Sequence, residues 1–317
     1  MGLMAAKADA TIRATGLKRS FGELEAVRGV DLHVESGQIY GFLGPNGAGK
    51  STTVKMLSTL LNPSGGTASV AGFDLATQAD QIRLRIGVAL QSSSLDPKQT
   101  GREILDLQGR FYGMNKTDRA RRVQELSELI DIGDALDRRI GTYSGGMARR
   151  LDLATALVHQ PTIVFLDEPT TGLDPASRAS IWDEVRRLNV DFGVTVFLTT
   201  QYLEEADVLA DQVSIIDDGR IVAQGTPDEL KRSIGSDVII VSVHGDSAAA
   251  AAIAGAVPGC GPVEKHGQEL TIVTADGSAS IGPVAIALGG AGLTVTSMTL
   301  RRPTLDDVFL ELTGARL

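Results

Sequence analysis

The chain has one cysteine, Cys260, so no disulfide can form within it, and a lone thiol fits a reducing compartment. Aromatic residues are scarce at 4%, so the core must be built from aliphatic side chains, and a hydrophobic fraction of 43% supplies enough of them. Positive charge is in deficit, with 30 Lys and Arg against 39 Asp and Glu, a net charge of −9 and a pI near 5.0. Tracking a nucleic-acid backbone needs clustered cations, so no nucleic-acid partner is expected. Long apolar runs are also missing. The longest small-apolar stretch, Ser247 to Val257, stops at Pro258, well short of the ~20 residues a membrane span needs. The opening MGLMAAKADATIRATG lacks the continuous apolar core of a signal peptide. Any membrane role is therefore expected to come through a partner. A charged fraction of 22% argues against global disorder, and 317 residues suit one large domain, alone or with a small one.

Short apolar runs recur at Ile39 to Leu43, Ile86 to Leu90, Ile163 to Leu166, Val194 to Leu198 and Val213 to Ile216. They do not alternate with polar residues, which predicts strands buried on both faces of a parallel sheet. Val54, Leu57 and Leu61 follow helical spacing, with Gly65-Gly66 as the stop. Thr117 is expected to cap a helix in which Val123, Leu126 and Ile130 share a face. Asp218-Gly219 reads as a hairpin turn. The texture changes after Gly225-Thr226-Pro227. Strands at 238–243, 270–273 and 293–300 and helices at 248–256 and 281–288 suggest a small split βαββαβ unit. The expected domains are 1–230 and 231–317.

Several apolar runs end in unusual polar residues. Gly44-Pro45-Asn46-Gly47-Ala48-Gly49-Lys50-Ser51, followed by Thr52, matches the G-x-x-x-x-G-K-[ST] phosphate loop between a strand and a helix. Its glycines let backbone N–H groups turn inward, and the helix beginning near Lys50 aims its positive end at the same point. Lys50 supplies charge for the β- and γ-phosphates, and Ser51 a hydroxyl for Mg²⁺. A loop that merely connects two elements is the bland alternative. Asp167 and Glu168 close another apolar run, and adjacent carboxylates in an apolar setting need a cation or a hydrogen-bonded partner. Asp167 suits Mg²⁺, directly or through water. Glu168, on the other side of the strand line, suits polarisation of an attacking water. A solvent-facing acid pair capping a helix is the alternative. Because ligands bind outside the carboxyl ends of strands in open α/β sheets, these ends are expected to converge on one ligand.

Tyr143-Ser144-Gly145-Gly146-Met147, read with the phosphate loop and the acid pair, resembles the signature of ATP-binding cassette (ABC) ATPases over about residues 10 to 230. YSGGM, LTTQYLEEAD and RRPTLDDVFLELTG look like the daunorubicin-resistance type of drug-exporter ATPase subunit. The resemblance implies an α/β P-loop ATPase with a mainly parallel core sheet, an antiparallel sheet subdomain and a helical subdomain near 92–155. A small C-terminal α+β domain is appended to it. It implies ATP and Mg²⁺ as ligands, and head-to-tail homodimers in which Ser144 and Gly146 meet the γ-phosphate bound by the other subunit. It also implies a separate ABC-2-type permease at the cytoplasmic face of the cell membrane. Serine and glycine N–H groups before a helix do form an anion-binding terminus, although an isolated SGG is more often an ordinary cap.

By the same resemblance Gln91 approaches Mg²⁺ and the attacking water, and Asp174 communicates across the dimer while also suiting a helix start before Pro175. Phe21 stacks on adenine, with a core phenylalanine as its alternative. Phe111, Tyr112 and Met114 either meet the permease or pack inside the helical subdomain. Gln201 stands where most relatives carry histidine. Its amide can position a phosphate but cannot titrate, so Glu168 is expected to activate water while Gln201 acts as a neutral clamp. Two other readings stay open. One is a soluble ABC protein, disfavoured by a single cassette, one cysteine and acidic charge. The other is a weakly hydrolysing regulatory scaffold, disfavoured by the intact acid pair. The C-terminal unit is expected to aid dimerisation or dock the permease.

Overall fold

The computed structural model describes residues 12–91 and 95–314. The chain divides into two compact units between Pro227 and Asp228. In the first unit, β1 (Ile12–Phe21) and β2 (Leu24–Val34) form an antiparallel hairpin, followed by β3 (Ile39–Leu43) and α1 (Lys50–Leu57). Next come β4 (Gly65–Val70), β5 (Phe73–Asp74), α2 (Ala79–Arg83) and β6 (Ile86–Ala89). Three helices then run without an intervening strand: α3 (Gly101–Phe111), α4 (Lys116–Ile130) and α5 (Gly145–Leu157). The unit closes with β7 (Ile163–Asp167), α6 (Pro175–Phe192), β8 (Thr195–Thr200), α7 (Leu203–Leu209), β9 (Gln212–Asp217) and β10 (Arg220–Gly225).

Among the described residues the central sheet has the order β10-β9-β3-β8-β7-β6. Its five strands from β9 to β6 are parallel, and β10 returns antiparallel through Asp218-Gly219. Both turn residues have positive φ, 45° and 75°, as a tight two-residue hairpin requires. Side-chain alternation assigns the two faces. Ile163, Phe165 and Phe197 join Tyr40 and Phe42 in a cluster with α1 and the antiparallel sheet β2-β1-β4-β5. Val164, Leu166, Val196 and Leu198 face the opposite way, into the cluster built by α4, α5 and α6. The aromatics of the central sheet, Tyr40, Phe42, Phe165 and Phe197, lie on the first face, where Tyr40 and Phe197 stack 5.5 Å apart.

Several boundaries differ from the expected ones for local reasons. The first helix stops at Leu57, because Thr59 turns left-handed (φ 63°) and the amides of Leu60 and Leu61 fold back onto the Lys55 carbonyl. Leu61 therefore lies beyond the helix, and Gly65-Gly66 opens β4 instead of stopping it. Gly66 is needed there, since a Cβ would lie 2.2 Å from the Gly16 carbonyl oxygen. Asn115, not Thr117, caps α4, its side chain accepting from the Asp118 amide at 2.9 Å, and Thr117 lies in the first turn. α5 begins at Gly145, so both signature glycines lie within the helix instead of before it. β8 runs on through Thr199 and Thr200, whereas β6 stops at Ala89.

The second unit contains α8 (Pro227–Ile234), β11 (Asp237–His244), α9 (Ser247–Gly255), β12 (Cys260–His266), β13 (Glu269–Thr274), α10 (Gly277–Gly290), β14 (Thr294–Arg301) and α11 (Leu305–Thr313). From β11 to β14 this is a split βαββαβ, with an antiparallel sheet of order β12-β13-β11-β14. Ile239, Val241, Val243, Leu270 and Ile272 pack on Ala250, Ala254, Val284 and Leu288 of its helices. The polar strand β12 and the flanking helices α8 and α11 are not among the elements expected from the sequence.

One buried acid belongs to packing rather than chemistry. Glu184 of α6 has one oxygen 3.9 Å from Arg150 Nε, and its other oxygen has no hydrogen-bond partner. Burial raises its carboxyl from 4.5 to about 8, against the opposing pull of Arg150 and Arg187. The folded state thus holds a proton that the unfolded state has released. This contribution to stability is fully present below pH 4.5 and is lost as pH rises towards 8. Denaturant unfolding of Glu184→Gln should therefore match the parent near pH 5 and exceed its stability at pH 9, by roughly 1–4 kcal/mol. Parallel pH profiles for the two proteins would contradict this assignment.

Candidate active site

The site begins where β3 ends. The loop from Gly44 to Gly49 turns back over the strand end, with Gly47 and Gly49 at φ of 85° and 109°. Those angles strain any residue with a Cβ. Space decides Gly44: a Cβ there would sit 2.2 Å from the Ile216 carbonyl oxygen. Gly49 caps α1 without a side-chain acceptor, so the first amides of that helix, at Lys50, Ser51 and Thr52, remain available to an anion.

Lys50 is only 4% exposed, and its ammonium donates to the carbonyl oxygens of Gly44 (2.7 Å) and Pro45 (3.2 Å). It also lies 3.2 Å from Glu168 Oε1, making a buried ion pair between loop and acid. Asp167 ends β7, and its Oδ1 accepts from Ser51 Oγ at 3.0 Å and Thr199 Oγ1 at 2.6 Å. Glu168 follows in a left-handed conformation, φ 49°, which swings its side chain away from the line of Asp167. Its amide is held by the backbone and hydroxyl oxygens of Thr199, both at 3.1 Å. Its Oε2 accepts from Gln91 Nε2 at 3.1 Å and from Thr171 Oγ1 at 3.3 Å. Lys50, Ser51, Gln91, Asp167 and Glu168 are thereby one hydrogen-bonded cluster at the carboxyl ends of β3, β6 and β7.

The signature residues lie in a second group. Ser144 caps α5, its hydroxyl oxygen accepting from the Met147 amide at 3.2 Å. Gly146 packs closely on α6, since a Cβ would stand 2.9 Å from Ser177 Oγ. Ser177 is in turn bonded to Asp174, which caps α6 through the Ser177 amide (3.0 Å) and hydroxyl (2.6 Å). The Asp174 carboxylate is thus engaged within its own helix start. Gln201 follows β8 and is half-buried, and among the described residues its amide makes no hydrogen bond. Phe21 is 46% exposed, with the Arg19 guanidinium 4.6 Å from its ring centre, so it is not a core residue. Phe111 is also exposed, whereas Tyr112 stacks on His159 at 3.8 Å.

The donor set suits a hard cation. Ser51 hydroxyl, Asp167 carboxylate and the Gln91 amide are oxygen ligands of the kind Mg²⁺ takes, usually alongside substrate phosphates. Sequence reasoning did not assign roles to Thr171, Thr199 or Arg149, the last of which reaches the carbonyls of Leu90, Asp167 and Pro169, at or just beyond the ends of β6 and β7. Thr199 had a visible signal, a hydroxyl at the end of an apolar run; the other two had none.

A phosphate loop facing a carboxylate pair across a parallel sheet defines a P-loop nucleotide hydrolase. Residues 27–171 match the ABC transporter family, and residues 225–313 match the C-terminal domain of DrrA1-3-like ATP-binding proteins. The daunorubicin resistance ATP-binding protein DrrA3 of Streptomyces coeruleorubidus is 46% identical over 308 residues, covering 97% of each chain. The daunorubicin/doxorubicin resistance protein DrrA of Streptomyces peucetius is 47% identical over 305 residues, 96% of this chain and 92% of its own. A solved dimeric ATP-binding cassette bound to ADP and phosphate superposes with a TM-score of 0.62 at 24% identity, over 68% of this chain and 98% of that one. The chain belongs to the ABC transporter ATP-binding proteins, in the group that includes the daunorubicin-resistance subunits. It is accordingly an ATP-binding, ATP-hydrolysing protein.

The loop geometry makes a contrast between two glycines. Gly47→Ala meets open space and costs only its left-handed backbone, about 1–2 kcal/mol. Gly44→Ala drives a methyl into a buried carbonyl and should lower both the melting temperature and ATP affinity far more. Equal losses in thermal unfolding and equilibrium ATP binding would contradict the loop geometry.

Proposed function

We propose that this chain is the motor of a two-component exporter, working as a homodimer on an ABC-2-type permease at the cytoplasmic face of the membrane. The observation that carries the reading is Glu168 held between Lys50 and Gln91 at the phosphate loop. Lys50 and the first amides of α1 bind the β- and γ-phosphates of ATP, with Gly44 to Thr52 forming the cradle. Bound phosphate competes with Glu168 for the lysine, so binding releases the carboxylate to accept a proton from the attacking water. Gln91 orients that water, while Ser51, Asp167 and the Gln91 oxygen hold Mg²⁺. The ion neutralises charge on the phosphates when it is bound. Ser144, Gly145 and Gly146 close the site of the second subunit, with Asp174 at the same junction, Phe21 stacks on adenine, and Gln201 is a neutral phosphate donor.

Export is supported by the names of the relatives. Besides the daunorubicin-resistance proteins, the Nod factor export ATP-binding protein I of Cupriavidus metallidurans is 38% identical over 310 residues. A drug-like cargo is supported by the resistance proteins' names, a lipid-like one is its alternative, and recognition of either belongs to the permease. Among the described residues no helix is long and apolar enough to cross a membrane. A groove of about 420 Å³, lined by Leu90, Leu95, Ile104, Gln108, Tyr112 and His159, suits a cytoplasmic helix of the permease.

Steady-state hydrolysis of Mg-ATP checks the roles. Glu168→Gln should lose at least ~100-fold in kcat while still binding ATP, and Gln201→Ala should lose less. A Glu168→Gln enzyme with the parent rate would sink the proposed mechanism.

A further inference from the structure

Arg149 lies in the second turn of α5, the helix that starts at the signature motif, and its side chain is only 11% exposed. Its guanidinium makes four hydrogen bonds. Nε donates to the Pro169 carbonyl at 2.9 Å, Nη2 to the Asp167 carbonyl at 3.1 Å and Nη1 to the Leu90 carbonyl at 2.6 Å. Nη1 also reaches Asp152 Oδ2 at 3.2 Å, one turn further along the same helix. The carbonyl acceptors are not scattered. Leu90 immediately precedes Gln91, and Asp167 and Pro169 bracket Glu168. One planar donor set therefore bridges the ends of β6 and β7, and fixes on both sides the left-handed residue that carries the reacting carboxylate.

We propose that Arg149 is a positioning residue for hydrolysis, holding Gln91 and Glu168 in register with the signature helix so that any shift of α5 is transmitted to the reacting groups. The proposal rests on the reading of Glu168 as the water-activating carboxylate. Strand-end carbonyls have no ladder partner beyond the last pair, and a strained backbone persists only where its surroundings over-determine it. Arg149 supplies both conditions from a helix that, in a dimer, also closes on the other nucleotide. Lysine cannot replace it fully. Its ammonium is a point charge with three donors, and the guanidinium fork spans carbonyls on separate chain segments.

The test compares Arg149→Met and Arg149→Lys with the parent, reading kcat, KM, ATP affinity at equilibrium and thermal unfolding, with Glu168→Gln assayed alongside. The expected result is a cooperatively folded variant whose ATP affinity stays within threefold while kcat falls at least tenfold for methionine and fivefold for lysine. Should Arg149→Met fail to fold, Arg149→Lys decides. A smaller fall in kcat, a parallel fall of kcat and affinity, or unfolding of both variants would make Arg149 a structural residue and overturn the proposal. If Glu168→Gln is inactive while Arg149→Lys turns over normally, this inference alone fails. If Glu168→Gln is active, the reading beneath it fails.

Discussion

The site depends on a buried ion pair. Lys50 and Glu168 stand 3.2 Å apart, with side chains 4% and 5% exposed. Removing two charges from water costs more than their attraction returns unless other groups complete their hydrogen bonds. Here the completion is specific. The Gly44 and Pro45 carbonyls accept from the lysine, and Gln91 and Thr171 donate to the glutamate. Such a pair is weak as a stabiliser, but it is costly to break from one side, on the order of 3–5 kcal/mol, because the remaining charge is left buried. In the proposed mechanism a phosphate takes the place of the carboxylate at Lys50, which spares the lysine that cost and leaves Glu168 to Gln91, Thr171 and the attacking water, so the pair is a poised exchange rather than a strut.

Strand order makes the pair possible. β3 and β7 are neighbours of β8 on opposite sides, with Leu43 opposite Thr200 and Asp167 opposite Thr199. The phosphate loop and the acids therefore emerge two strands apart with only two threonines between them. Thr199 uses that position fully, donating to Asp167 and accepting from the Glu168 amide. The aliphatic and aromatic alternation along β7 and β8 fixes which way each end faces, since a one-residue slip would exchange the two cores.

What was legible in the sequence follows the range of the interactions. The five buried strands of the parallel sheet, the phosphate loop, the acid pair and the Asp218-Gly219 turn are written in local composition, and the parallel sheet follows from runs without alternation. Asn115 and Thr59 set helix ends through capping and left-handed geometry, which spacing of Val and Leu does not report. Arg149 and Glu184 read locally as ordinary charges on helices. Only the fold shows that Arg149 reaches the Leu90 carbonyl 59 residues away and that Glu184 is buried. Gln201 was legible as a departure from the family's histidine, and among the described residues its amide, beside the end of β8, makes no hydrogen bond.

The most direct measurement is a double-mutant cycle in ATP affinity. Equilibrium binding would be compared for the parent, Glu168→Gln, Lys50→Ala and the double variant. If Lys50 is shared between carboxylate and phosphate, Glu168→Gln should tighten binding in the parent background and have no such effect once Lys50 is alanine. An equal change in both backgrounds would show that the pair is not exchanged on binding, and would contradict the account.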